Sequence, residues 1–268
     1  MSILNFFHSY LPSPVIVEWG PWQLHWYGAL VGLAALIGYW LVRRQWLKSG
    51  RKLIEFDKLF GWLLLAGLVG ARLLDVFLFE WWYFQNHLVD ILYFWQGGLS
   101  WHGGLLGGAV VLGVYYHKTL ADLLSVADIF APALAVGQAI GRWGNYFNQE
   151  LFGLPTDLPW GIPIARTWRP WAYVDQVYFQ PVFLYESVAL LFLALGLWYL
   201  RRQQLKPGSL FVCYLLGTGI IRFGLEFIRL DEQSLVLGLR SGLLMAAVII
   251  LAGIGLWLAI RRRPAINI

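Results

Sequence analysis

Residues 239–260 read LRSGLLMAAVIILAGIGLWLAI. Past Arg240 and Ser241 this stretch holds no charge, hydroxyl or amide side chain until Arg261. Coiled as an α-helix, its twenty-two residues extend about 33 Å, matching a bilayer hydrocarbon core about 30 Å thick. A helix on a water-facing surface shows a polar stripe, whereas one that is apolar on every side lies in protein or in lipid. The run is too long for a strand and lacks period-two alternation.

Six further stretches of this kind precede it, at 22–42, 56–79, 99–116, 122–146, 183–200 and 209–228, the third and fifth being the shortest. Only 13% of the 268 residues are charged, against about 25% in soluble proteins. Hydrophobic residues make up 59%, with 16 Trp, more than a water-soluble surface can hide. The expected fold is an all-α integral membrane protein: seven transmembrane helices in a single polytopic domain, 1–268. The excess of 20 Lys+Arg over 15 Asp+Glu suits cytoplasmic loops and requires no nucleic-acid partner. One Cys excludes a disulfide framework and a Cys-based zinc site.

Basic residues in short loops mark the cytoplasmic side. Arg43, Arg44, Lys48, Arg51 and Lys52 follow the first stretch, Lys118 the third, Arg201, Arg202 and Lys206 the fifth, and Arg261 to Arg263 the seventh. Residues 1–21 and 80–98 carry no Lys or Arg, and 147–182 carry only Arg166 and Arg169. The N-terminus is therefore expected outside and the C-terminus in the cytoplasm. No secretory signal is read at 1–15, which lack a basic region and contain Pro12 and Pro14. Outside, 80–98 carry Trp81, Trp82, Tyr83, Phe84, Tyr93, Phe94 and Trp95, the composition of an interfacial arm. Residues 147–182, with Pro155, Pro159, Pro163, Pro170 and Pro181, are long enough to form a small ordered outer cap.

An ionisable group inside a span costs from about 2.5 kcal/mol upward, so each one marks a candidate site. Threaded with the N-terminus outside, Tyr27, Arg72, Asp75, His102, Arg142, Asn145, Glu186, Arg222 and Glu226 fall in one layer near the outer ends of six stretches. Structural duties compete for several of them. Arg72 with Asp75 (i, i+3) and Arg222 with Glu226 (i, i+4) have the spacing of internal ion pairs. Glu186 fits a solvated helix end, Arg229 and Arg240 fit snorkelling at span ends, and the deeper Asp128 fits an interhelical hydrogen bond. Cys213, among apolar neighbours, reads as an inert thiol.

His102 precedes Gly103, Gly104, Gly107 and Gly108, two offset small-xxx-small pairs that admit another backbone or a ligand. His8, His25, His87 and His117 show no metal-ligand spacing, and no metal site is expected. The densest polar stretch, GQAIGRWGNYFNQELFG at 137–153, makes a poor lipid-facing surface and a good polar pocket. Several arginines with a histidine and a tyrosine at headgroup depth suit a phosphate-bearing anion, because guanidinium clamps phosphate through two parallel hydrogen bonds. These residues describe a phospholipid-handling enzyme. The rival is a membrane transporter or flippase for lipid or peptide, which would place polar groups through the full depth of the bundle. Here the inner half is apolar apart from Asp128, and no internal repeat is evident. No G-x-S-x-G surrounds Ser100.

Six pieces occur in one order: Trp26-Tyr27-Gly28, Gly70-Ala71-Arg72-Leu73, His102-Gly103-Gly104-Leu105, the block from Gly141-Arg142 to Gly153, Leu184-Tyr185-Glu186, and Arg222-Phe223-Gly224-Leu225-Glu226-Phe227. In them the sequence resembles the bacterial prolipoprotein diacylglyceryl transferases. The resemblance implies seven spans in the inner membrane with the N-terminus and the active site toward the periplasm. It also implies transfer of the diacylglyceryl group of phosphatidylglycerol to the lipobox cysteine of a prolipoprotein signal peptide, with no cofactor. The family's functional positions fall on Tyr27, His102, Arg142, Asn145, Glu150, Gly153, Arg222 and Glu226. We expect Arg142 and Arg222 to hold the phosphate, His102 to assist thiol deprotonation, and Tyr27, Asn145 and Glu150 to orient the headgroup. Gly153, Glu226 and Arg72 are expected at the lipid site. Replacing Arg142 by Ala is expected to cost turnover without unfolding. Gln180-Pro181 stands where the family often has His-Pro, so no proton-transfer role is assigned there.

Overall fold

The computed structural model describes residues 7–20, 22–94, 97–117, 119–230, 235–236 and 238–262. Trp95, Lys118 and Arg263, used above for the arm and the orientation, lie outside the described residues, as does the side chain of His102. The apolar stretches form seven helices: α1 Trp26–Lys48, α2 Leu53–Leu74, α3 Trp101–Tyr115, α4 Leu120–Phe147, α5 Val182–Leu200, α6 Ser209–Glu226 and α7 Ser241–Arg261. Among the described residues, five helices are long and apolar enough to cross a membrane: α1, Leu53–Phe79, α4, α5 and α7. Gly103–Tyr115 and Ser209–Leu225 are apolar but shorter.

The first stretch is corrected at its start. Trp22–His25 is strand β2, which pairs antiparallel with β1, Val15–Trp19, and the helix begins only at Trp26. Two further two-stranded ribbons, β3 Ile162–Pro163 with β4 Tyr178–Phe179 and β5 Leu235–Val236 with β6 Leu239–Arg240, also lie outside the helices. Helices therefore form the apolar stretches, and short ribbons part of the connections.

The chain forms two compact units. One, residues 42–126, centres on α2 packed against α3. The crossing is backbone on backbone. A Cβ on Gly70 would strike Gly103 O, one on Gly103 would strike Gly70 O, and one on Gly107 would strike Ala66 O. The glycines after His102 are thus occupied by a neighbouring helix. Gly107→Leu is expected to lower Tm in detergent by several degrees, an overpacking penalty of about 1–3 kcal/mol. Gly113→Leu, with open space at its Cβ, should leave Tm unchanged.

Beyond α2 the helix continues through a π-helical turn, Asp75–Phe79, into a turn at Trp81–Phe84 and a 3-10 turn at Leu88–Leu92. Arg72 organises this arm. Its Nε donates to Ile91 O at 2.9 Å, Nη1 to Gly97 O and Gly98 O at 2.9 Å each, and Nη2 to Asp90 O at 2.6 Å, while Phe84 lies under the guanidinium. Its ion pair with Asp75 is looser, at 3.8 Å.

The other unit comprises residues 1–41 and 127–268. In it α6 packs against α5 and α7. Asp128 on α4 accepts the N–H groups of Gly208 and Phe211 at 2.7 and 2.8 Å, satisfying the start of α6 as the interhelical reading expects. Ser187 Oγ donates to Ala139 O, joining α5 to α4. The segment after α4 is ordered around Tyr146, Leu151, Phe152, Ile162, Ile164, Phe179, Val182 and Phe183.

Candidate active site

The C-terminal turns of α4 supply half of the site. Gln138, Arg142 and Asn145 stand at i, i+4 and i+7, so they share a face. Arg142 Nη2 meets Glu186 Oε1 at 2.9 Å, and Arg142 Nη1 reaches Asn145 Oδ1 at 3.4 Å. Asn145 Nδ2 donates to Glu150 Oε2 at 3.0 Å, and Asn148 Nδ2 to Glu150 Oε1 at 3.3 Å. Glu150 can return to Asn145 because the chain doubles back after α4. Gln149 (φ 56°) and Leu151 (φ 57°) both adopt the left-handed conformation, which β-carbon sterics disfavour. The buried Gln149 side chain holds that turn, donating to Pro12 O at 2.9 Å and accepting Ala165 N–H at 2.7 Å.

Tyr27 is 40% exposed, and its ring rests on Gly144, where any Cβ would lie 2.6 Å from Cδ2. Arg142 and Glu150 are its charged neighbours. The buried Tyr214 of α6 bonds Gln138 and also lies in the field of Arg142.

At the end of α6, Glu226 is 1% exposed. Its Oε2 accepts from Arg229 Nη1 at 3.2 Å, and its Oε1 lies 3.0 Å from Arg240 Nε, an ion pair whose angles fall short of a hydrogen bond. Arg222 differs from every other arginine of the site. Among the described residues it has no hydrogen bond or ion pair, its Nε is buried, and its charged neighbours are Arg229, Glu186, Arg142 and Glu226. Among the described residues, four guanidiniums, of Arg142, Arg222, Arg229 and Arg240, accompany three carboxylates, of Glu150, Glu186 and Glu226. A cation left without a described partner has the chemistry to take an anion.

Several expectations are revised. Arg222 and Glu226 do not pair, because Arg229 and Arg240 already meet Glu226. Those two arginines do not snorkel: Arg229 is buried, and Arg240 turns back onto the end of α6. Glu186 is no solvated end; at 4% exposure it is the counter-ion of Arg142. Four donor contacts commit Arg72 to the arm. Gly153 is a close-packing position, since its N–H donates to Gln180 O and a Cβ would come within 2.7 Å of Ile228 O and of Val182 Cγ2. His102 opens α3, in the other unit. Sequence reasoning passed over Gln138 and Tyr214, although the i, i+4 spacing of Gln138 from Arg142 was a usable signal.

Residues 14–259 match the family model described as prolipoprotein diacylglyceryl transferase. Curated relatives named phosphatidylglycerol–prolipoprotein diacylglyceryl transferase are similar to this chain over most of its length. The protein of Parasynechococcus marenigrum is 39% identical over 96% of this chain and 97% of its own. That of Thermosynechococcus vestitus is 40% identical over 88% of each, and that of Thermotoga maritima 38% identical over 94% of this chain and 86% of its own.

Proposed function

This chain belongs to the prolipoprotein diacylglyceryl transferase family, and on that basis we propose that it transfers the diacylglyceryl group of phosphatidylglycerol to the lipobox cysteine of a prolipoprotein, the first step of lipoprotein maturation. The cysteine sulfur attacks the diacylglycerol carbon that carries the phosphate oxygen. The S–C bond forms and the C–O bond breaks, glycerol phosphate leaves with the electron pair, and the thiol proton passes to a base. The product is a thioether.

The observation that best supports this site is Arg222, which has no partner among the described residues, in the field of the Glu186-anchored Arg142. Arg222 and Arg142 hold the phosphate and stabilise its charge as it departs, in surroundings dry enough to make that interaction strong. Tyr27, Asn145 and Glu150 orient the headgroup and Arg142. Gly153 keeps the turn closed, Glu226 acts through its arginines, and Arg72 acts through the arm. A thiol with a reference pKa of about 8.5 is mostly protonated at neutral pH, and His102 assists its ionisation.

The seven helices cross a bacterial inner membrane, with the N-terminus and the site toward the periplasm, the C-terminus in the cytoplasm, 80–98 as an interfacial arm and 147–182 as an outer cap. Basic loops and apolar lengths support this arrangement.

The test uses purified protein in phosphatidylglycerol vesicles with a lipobox peptide. Covalent diacylglyceryl on the peptide cysteine is expected; lipid movement without covalent product would instead identify a flippase. In the same assay His102→Gln should lower kcat about a hundredfold. Most of the activity surviving from about pH 6 to 9 would assign the base to another group.

A further inference from the structure

Glu226 stands one helical turn beyond Arg222, at the i, i+4 spacing that ordinarily joins opposite charges. Both side chains lie at the end of α6, with Glu226 fully buried. A buried carboxylate left with an open oxygen would draw in a neighbouring guanidinium, and among the described residues Arg222 has no hydrogen bond or ion pair to hold it elsewhere. Yet the two are not paired. Arg229 fills Oε2 from the following turn, and Arg240 fills the Oε1 side from 14 residues further along the chain.

Arg240 is itself fixed in place. Its Nη1 donates to Arg229 O at 2.8 Å and to Glu226 O at 3.3 Å, carbonyls at the C-terminal end of α6, where a cation is also favoured by the helix dipole. It closes the β5–β6 ribbon and is the N-cap of α7, so the chain's return delivers its guanidinium to the spent end of the previous helix.

We infer that Arg240 is a positioning residue of the transfer reaction: by neutralising Glu226 it keeps Arg222 free for the phosphate of the lipid. The inference rests on the function proposed above. Without the Arg240 charge, Glu226 competes with phosphate for Arg222, and the fraction of binding-competent enzyme falls. Apparent lipid affinity falls by the same factor, while at saturating lipid the phosphate displaces Glu226 and turnover is restored.

Two neutral variants separate charge from structure. Arg240→Met keeps bulk, and Arg240→Gln keeps a donor for the α6 carbonyls. With phosphatidylglycerol in mixed micelles and a fixed lipobox peptide, both should raise KM for the lipid about tenfold or more, with kcat within about threefold of the unsubstituted enzyme. Arg240→Lys, which keeps the charge, should stay within about threefold in both parameters. Adding Glu226→Gln to Arg240→Gln removes the competing charge and should return KM toward its original value, which a loss of packing would not do. Either neutral variant, folded and with unchanged KM, overturns the inference, as does a double variant no better than the single. If the unsubstituted enzyme makes no diacylglyceryl-peptide, the functional reading itself fails, a distinguishable result.

Discussion

Arg222→Ala is expected to lower kcat/KM for phosphatidylglycerol about a thousandfold, the scale on which removal of one preorganised charge-stabilising donor is felt. Its thermal stability should be unchanged or slightly raised. That pairing of outcomes follows from its surroundings. Among the described residues Arg222 makes no hydrogen bond or ion pair, and two of its charged neighbours, Arg142 and Arg229, repel it. Removing it leaves no carboxylate stranded, since Glu186 retains Arg142 and Glu226 retains Arg229 and Arg240. A cation without a described partner is available to an anion, as the proposed phosphate clamp requires. Arg222→Lys should recover only part of the loss, because an ammonium supplies the charge without the planar fork that grips two phosphate oxygens. Melting curves in detergent beside the transfer assay check both halves. A large Tm drop would mean that Arg222 has structural partners, and near-normal transfer would remove it from the phosphate clamp.

How much of this site was legible beforehand depended on how local each interaction is. The 137–153 block could be read because Asn145 joins Arg142, three residues before it, to Glu150, five residues after it, at one helix end. The spans could be read because lipid selects on composition over twenty residues, whatever each side chain touches. Arg222 and Glu226 misled for the same reason: their i, i+4 spacing is a local rule, and it lost to an arginine delivered by the chain's return. Arg72 misled differently. Its partners are main-chain carbonyls 18 to 26 residues downstream, and carbonyls leave no mark in a sequence. At the first span, four residues of strand sit directly before an apolar helix, too few for alternation to declare itself. Glu186 lay in plain view after Pro181, but its burial depends on α4, which supplies both Arg142 and the carbonyl that receives Ser187.

That burial changes what Arg142→Ala can test. With Glu186 at 4% exposure and its Oε1 held by Arg142 at 2.9 Å, deleting the arginine leaves a carboxylate in a nearly dry site. Breaking one side of a buried pair typically costs about 3–5 kcal/mol, because the surviving charge has lost its compensation. Arg142→Ala is therefore expected to lose transfer and to melt markedly lower, contrary to the simple expectation of a folded, inactive enzyme. The informative variant is Arg142→Ala combined with Glu186→Gln, which removes both charges. Its Tm should return to near that of the unsubstituted protein while transfer stays depressed by about a thousandfold. Glu186→Gln alone keeps Arg142 but releases its guanidinium from a fixed position, so the loss should appear in kcat and be smaller. If the double variant recovers transfer along with Tm, Arg142 only held the fold together, and the phosphate is held without it. If neither recovers, the pair is structural and the arginine's chemical role must be read from Arg142→Lys, which should keep Glu186 satisfied and still fall short in transfer for want of the second parallel hydrogen bond.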